Sequence, residues 1–189
     1  ANAEAKLARK NFDFIVLNSL RDAGAGFRGD TNKVTFIDRT GREELPLLSK
    51  REVAERIAAG PGSKTYGILS VLIQAWYRVE YLFTVNEQVF NPPPKVKSAV
   101  IRMTRNETQE LGCDPKLFKQ IVKTTFNQRR KTLRNSIKPI LGKDCPLTED
   151  ALFNKRPEQL SVQEFIHLTN QVEQALKVPI KPVSQIENP

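Results

Sequence analysis

Apolar positions follow two regimes along this chain. Up to about residue 105 they come as short continuous runs broken by helical stripes, and beyond it they recur every three or four residues. Residues 4–10 are predicted helical. Residues 12–17 read as a buried strand and 34–37 as a second, with a glycine-rich loop between them. Asp38-Arg39-Thr40-Gly41 is turn chemistry. Ser49 with Glu52 three residues later forms a capping-box pattern. It opens a short helix with Val53, Ala54, Ile57 and Ala58 on one side, stopped by Gly60-Pro61-Gly62. Ile68, Val71, Leu72, Ala75 and Val79 keep a 3.6 period, which predicts a helix over 67–78 with Trp76 in the core. Residues 81–85 and 98–103 read as strands that pair across Pro92-Pro93-Pro94.

The back half reads as helix throughout. Asp114-Pro115 is a helix start, with Asp as cap and Pro in the first turn. Phe118, Ile121, Val122 and Phe126 form its buried stripe. Leu133, Ile137 and Leu141 form a second stripe, halted near Pro139 and Gly142. Ser161 and Glu164 repeat the capping box and open a helix with Val162, Phe165, Ile166, Thr169, Val172 and Leu176 inward. Residues 177–189 hold three prolines and no period, and are expected to be a loose tail.

Charge sharpens this picture. The 189 residues carry a net +9, and residues 116–143 account for all of it: nine basic side chains and no acidic one. Outside that window acids and bases balance. A solvated helix face normally mixes signs, so a one-sign run points to a polyanionic partner such as nucleic acid. Arg129, Arg130, Lys131, Arg134, Lys138 and Lys123 are the candidate phosphate contacts, with Arg130, Arg134 and Lys138 at i,i+4 spacing. Lys95 and Lys97 near the prolines add to the attraction for RNA.

Other chemistries are excluded or fail on inspection. Two cysteines 32 apart and one histidine make no disulfide scaffold, zinc site or Cys-His or Ser-His hydrolase, so no metal is expected. No apolar run approaches the roughly 18–20 residues of a membrane span, and residues 1–10 hold no signal-peptide core, so a cytoplasmic location without membrane partners is expected. Gly24-Ala25-Gly26-Phe27-Arg28-Gly29 is a literal G-x-G-x-x-G, but a strand rather than a helix is predicted next, so no helix N-terminus holds a phosphate. Asn91-Pro92-Pro93-Pro94 approaches the N-P-P-aromatic motif of amino-methyltransferases. Its fourth position lacks the ring that stacks on a flipped base, which leaves a rigid loop.

Three blocks carry a resemblance. They are Glu52-Val53-Ala54-Glu55-Arg56-Ile57 through Tyr66-Gly67-Ile68-Leu69-Ser70-Val71, then Phe90-Asn91-Pro92-Pro93-Pro94-Lys95-Val96-Lys97-Ser98, then Phe126-Asn127-Gln128-Arg129-Arg130-Lys131-Thr132-Leu133-Arg134-Asn135. In order and spacing they resemble the small-subunit rRNA adenine dimethyltransferases, from the end of that family's Rossmann-like domain through its helical domain. The resemblance implies transfer of methyl groups from S-adenosylmethionine to rRNA adenines. It places Phe90, Asn91, Pro92, Pro93 and Pro94 near the target base. The family's S-adenosylmethionine loop and Asn-Leu-Pro-Tyr type motif match nothing before Glu52, so no catalytic residue is assigned and no cofactor is expected in this chain. Instead Lys6-Leu7-Ala8-Arg9-Lys10-Asn11-Phe12-Asp13-Phe14, with Gly24-Ala25-Gly26-Phe27, resembles the C-terminal part of phosphopantothenoylcysteine synthetase, a CTP-dependent ligase. There the resemblance implies that Lys6 and Lys10 bind CTP phosphates.

The expected fold is an α/β front half, a truncated Rossmann-like methyltransferase sheet plus ligase-like strands, followed by an all-α C-terminal domain. The expected boundaries are 1–51 for the ligase-like fragment, 52–106 for the methyltransferase end, 107–176 for the helical rRNA-binding domain and 177–189 for the tail. Both families place an amphipathic Lys-x-Glu-Val-Ala helix at the join, here Lys50-Arg51-Glu52-Val53-Ala54, so the chain reads as a chimera. The expected function is binding of small-subunit rRNA or a pre-30S particle without complete catalytic machinery. The alternatives are a methyltransferase whose missing half is supplied in trans, and a CTP-binding ligase fragment.

Overall fold

A computed structural model describes residues 2–10, 14–18, 31–32, 34–39, 41–44, 48–91, 93 and 97–177. The expectations for Phe12 and Asp13, the glycine-rich loop, Pro92, Pro94, Lys95 and the tail beyond Lys177 lie outside these residues. The chain divides into two compact units between Glu110 and Leu111.

In the first unit, helix α1 (Asn2–Arg9) packs on strands β1 (Phe14–Asn18) and β3 (Val34–Asp38). These strands are antiparallel, with Phe14 opposite Asp38, and β3 continues to β4 (Gly41–Glu44). Leu7, Val34, Phe36 and Ile37 are buried there. Two short strands, β2 (Thr31–Asn32) and β5 (Leu48–Ser49), pair antiparallel and lead directly into α2 (Lys50–Ala58).

The predicted capping box forms. Glu52 N donates to Ser49 Oγ at 3.2 Å and Ser49 N donates to Glu52 Oε2 at 2.8 Å. Those bonds hold the Glu52 carboxyl below its ordinary range. Such caps stabilise by about 1 kcal/mol. The other end of α2 is closed by the next helix, α3 (Ile68–Gln74). Ser70 Oγ donates to the Arg56 carbonyl, and Gln74 Nε2 donates to the Ile57 and Ala59 carbonyls at 2.9 and 2.8 Å.

Helix α3 ends four residues before the predicted 78. Asn106 causes the stop: its Nδ2 donates to the Gln74 and Ala75 carbonyls at 3.3 and 3.2 Å, which closes the helix end. Val79 therefore lies in a strand, β6 (Tyr77–Val85), rather than in a helical stripe. Trp76 is half-buried rather than in the core, with the Arg105 guanidinium 5.2 Å from its ring centroid.

The predicted pairing across the proline loop is present. Strand β6 runs antiparallel to β7 (Ser98–Arg105), from Tyr77 opposite Arg105 to Val85 opposite Ser98. The register shifts between Tyr81 and Phe83, so Leu82 is a bulge residue.

Among the described residues, every element of the second unit is helical. Helix α4 (Pro115–Phe126) starts as predicted, Asp114 Oδ1 accepting from Leu117 N at 2.6 Å. Helices α5 (Leu133–Ser136) and α6 (Lys138–Leu141) divide the single predicted stripe at Ile137, yet Leu133, Ile137 and Leu141 are all buried. Three short 3-10 helices lead to α7 (Val162–Lys177), which packs on α4 with the Phe126 and Phe165 rings stacked 5.8 Å apart. Phe118, Ile121, Val122, Phe153, Leu160 and Leu168 complete the core. Leu176, expected inward, is 54% exposed, because it sits in the last turn of α7.

Candidate nucleic-acid interface

The basic run does not form one continuous helix face. Arg130 lies in the turn after α4, Arg134 in α5 and Lys138 at the start of α6. Their i,i+4 spacing therefore does not stack them on one helix. Arg130, Lys131 and Lys138 are exposed, and each has no ion pair among the described residues. Lys123 is half-buried, and Lys119, from the same run, is buried at 7% exposure.

Two of the candidate arginines have acidic partners from outside the run. Arg129 Nε donates to Glu158 Oε2 at 3.0 Å, with both side chains largely shielded. This is a brace between the end of α4 and the 3-10 helix Pro157–Gln159. Arg134 meets Glu149 at 3.8 Å, a looser contact in which the glutamate is 76% exposed. Loose, largely solvent-facing pairs of this kind contribute little. Asn135 Nδ2 donates to Thr132 Oγ1 at 3.3 Å and holds the turn rather than facing a ligand.

In the first unit, Phe90, Asn91 and Pro93 of the proline loop are exposed, Phe90 at 43%. Lys97 is exposed beside them. Lys6 and Lys10 are exposed and one turn apart, Lys10 N donating to the Lys6 carbonyl at 3.0 Å. The element after the glycine-rich loop is strand β2, so the residues present do not supply the helix N-terminus of a dinucleotide or S-adenosylmethionine loop. Among the described residues, no three His, Cys, Asp or Glu side chains gather at metal-binding distance, and no helix is long and apolar enough to cross a membrane.

One feature escaped the sequence reading. A cleft of about 380 Å³ lies between α2 and β6, lined by Glu55, Ala58, Ala59, Thr65, Tyr81 and Thr84. Tyr81 and Thr84 are three apart and would face opposite ways in a regular strand. The Leu82 bulge turns them to one side, with their hydroxyl oxygens 2.6 Å apart. Glu55 is held on the same side by Arg51 Nε at 2.6 Å, a pair that raises the guanidinium pKa.

Comparison with known proteins finds matches to both parts of the chain. Residues 31–174 match the family model "Ribosomal RNA adenine dimethylase", and residues 1–60 match "DNA/pantothenate metabolism flavoprotein C-terminal domain". The two matches overlap on β2 through α2. Ribosomal RNA small subunit methyltransferase A of Bacteroides fragilis is 98% identical over 142 residues, covering 75% of this chain and 52% of that protein. Its counterpart in Bacteroides thetaiotaomicron is 91% identical over 130 residues, covering 69% of this chain and 49% of that protein. The chain thus spans about half the length of the curated relatives it matches. Among solved structures, a dimethyladenosine transferase from Plasmodium falciparum shares the fold, with a TM-score of 0.56 and 23% identity over 67% of this chain and 55% of that one. With its fold and most of its length inside these matches, the chain belongs to the ribosomal RNA adenine dimethylase family.

Proposed function

We propose that the second unit is an RNA-binding module for small-subunit rRNA, free or in a pre-30S particle, and that Arg130, Lys131 and Lys138 are its principal phosphate contacts. The observation carrying this reading is that these three cations stay exposed and without acidic partners among the described residues, while Arg129 is taken up in a brace. Arg presents a planar fork and Lys a mobile point charge to phosphate oxygens, which suits recognition of folded RNA by shape. The names of the family and of its relatives supply the RNA class.

Each phosphate neutralised releases counterions, so log K falls with log salt by about 0.7–0.9 per contact. Binding of a small-subunit rRNA fragment, followed by fluorescence anisotropy across a salt series, tests the reading. Replacing Arg130, Lys131 and Lys138 by Ala together lowers the slope by about 2 to 3 and weakens binding for all RNA sequences alike. An unchanged slope removes the cluster from the interface.

In this reading the 189 residues do not bind S-adenosylmethionine by themselves, since the glycine-rich loop leads to a strand. Saturable binding in isothermal titration would overturn that part. The division of labour is a ligase-like fragment over 1–51, a methyltransferase end over 52–106, with Phe90 and Asn91 of its loop beside the target base, and the RNA-binding helices over 107–176, in a cytoplasmic protein. The overlap of the two family matches on α2 supports a chimeric junction there, and sequencing reads that span the locus test it. A second reading rests on Lys6 and Lys10, one exposed turn apart within the flavoprotein-domain match: CTP binding by the front fragment, lost in Lys10→Ala.

A further inference from the structure

The cleft between α2 and β6 has two unlike walls. The helical wall carries Glu55, Ala58 and Ala59, spaced to share one face at the end of α2. The two alanines stop at Cβ and leave room one turn from the Glu55 carboxylate. The strand wall carries the Tyr81 ring and the Tyr81–Thr84 hydroxyl pair, formed where the Leu82 bulge turns both side chains to one side. Bulges that re-aim a side chain are frequent beside functional sites. At about 380 Å³ the cleft is within the range of small-molecule sites. Its hydrogen-bonding character is specific. A carboxylate has about four acceptor positions on its two oxygens, and Arg51 Nε takes one of them, at Oε1. Glu55 therefore offers acceptors and no donor. Within the Tyr81–Thr84 pair one hydroxyl donates to the other, so one O–H is left to donate. The Arg51 guanidinium also balances the Glu55 charge, so a cationic ligand such as a polyamine gains little attraction here. The ligand that matches is neutral and planar, with two adjacent donors and one acceptor.

We propose that this cleft seats one guanine base, read by the Glu55 carboxylate and the Tyr81–Thr84 hydroxyl pair. Among the four RNA bases, guanine alone presents two neighbouring donors, N1–H and N2–H, beside an acceptor, O6, on one edge. The donors suit the two oxygens of Glu55, the acceptor suits the remaining hydroxyl, and the Tyr81 ring, 36% exposed, is an aromatic surface for the base. Adenine, cytosine and uracil each bring a single donor group to that edge and leave polar atoms of the cleft unmatched. The same chemistry receives the base of a free nucleotide or an unpaired guanine of a bound RNA. The proposal does not rest on RNA binding by the second unit, since all of these residues lie in the first.

The test titrates the whole chain with nucleosides, which carry no phosphate and so leave the cations of residues 116–143 out of the measurement. Backbone amide NMR shifts of Ala58, Tyr81 and Thr84 are followed with guanosine, with inosine, which lacks the N2 amine, and with adenosine. Guanosine is expected to bind at least about tenfold more tightly than either of the others. Glu55→Gln keeps one acceptor oxygen and loses the second, so in that variant the difference between guanosine and inosine closes. Glu55 is paired only with its helix neighbour Arg51 at the surface, and unchanged amide shifts away from the cleft verify that the variant folds. Equal affinity for guanosine and adenosine overturns the proposal. So does a guanosine preference that persists in E55Q, or shifts confined to residues outside the cleft. An oligouridylate carrying one guanine separates the two sources of the base. Cleft shifts that saturate at a lower concentration with it than with GMP assign the seat to RNA, and the reverse order assigns it to a free nucleotide.

Discussion

Asn106 holds the end of α3 from 32 residues away in sequence. Replacing it with alanine removes three hydrogen bonds: the two donated by Nδ2 to the Gln74 and Ala75 carbonyls at 3.3 and 3.2 Å, and the one its Oδ1 accepts from Thr108 N at 2.9 Å. The backbone bond from Asn106 N to the Trp76 carbonyl at 3.0 Å remains. A net hydrogen bond is worth about 0.5–1.5 kcal/mol. Taking the two longer bonds at the low end and the shorter one near the middle gives a loss of about 2 kcal/mol. The chain has one tryptophan, Trp76, and it sits beside the affected helix end, so its fluorescence reports this unit. At a urea m-value of about 2 kcal/mol per molar, the unfolding midpoint falls by about 1 M. Asn106→Asp keeps the acceptor for Thr108 but sets a carboxylate against two carbonyl oxygens, so it loses at least as much. An unmoved midpoint in the alanine variant, or a wild-type midpoint in the aspartate variant, would show that α3 stops for another reason.

The second unit yields three more expectations. Phe153→Ala empties a fully buried site and costs about 3–5 kcal/mol, read as loss of helical circular dichroism at a lower temperature. Glu164 is held below the ordinary carboxylate range by Lys155 at 2.7 Å and by Ser161. A depressed carboxyl contributes stability above its unfolded pKa of about 4.3 and loses it as pH falls through the lower folded value, so Glu164→Gln flattens stability against pH in that acid window. Burial pushes the Cys113 thiol up to about 11, against the hydrogen bond from Thr169. Its reaction with a disulfide reagent therefore keeps rising to about pH 11, and a plateau near the ordinary 8.5 would contradict the burial.

What the sequence showed and what it hid divide along a physical line. Features set within four residues were legible: both capping boxes, the Asp114 helix start, and the buried stripe of α4. The hairpin was legible because its strands are apolar and flank a proline-rich connection. The end of α3 was not, because Ala75 to Val79 satisfies a helical period and the deciding hydrogen bonds come from Asn106. The Leu82 bulge was hidden for the same reason, since register belongs to the pair of strands rather than to either one. In the candidate interface, the run of nine cations looked uncompensated because Glu158 and Glu149 lie beyond its end. Sequence located the cluster, and only the fold separates Arg129, a brace, from Arg130 and Lys131, which stay in solvent.

Helix α2 lies where the two family matches overlap, and its two ends are closed in different ways. Its first turn is capped by its own Ser49, and its last carbonyls are taken by Ser70 and Gln74 of α3, whose own end is taken by Asn106. Beyond the Ser49 cap, every closure in this relay comes from downstream. Among the described residues, the segment before Leu48 joins this relay through the short ladder of Thr31 with Ser49 and Asn32 with Leu48. Among the described residues, no helix end behind that ladder is closed by sequence upstream of it.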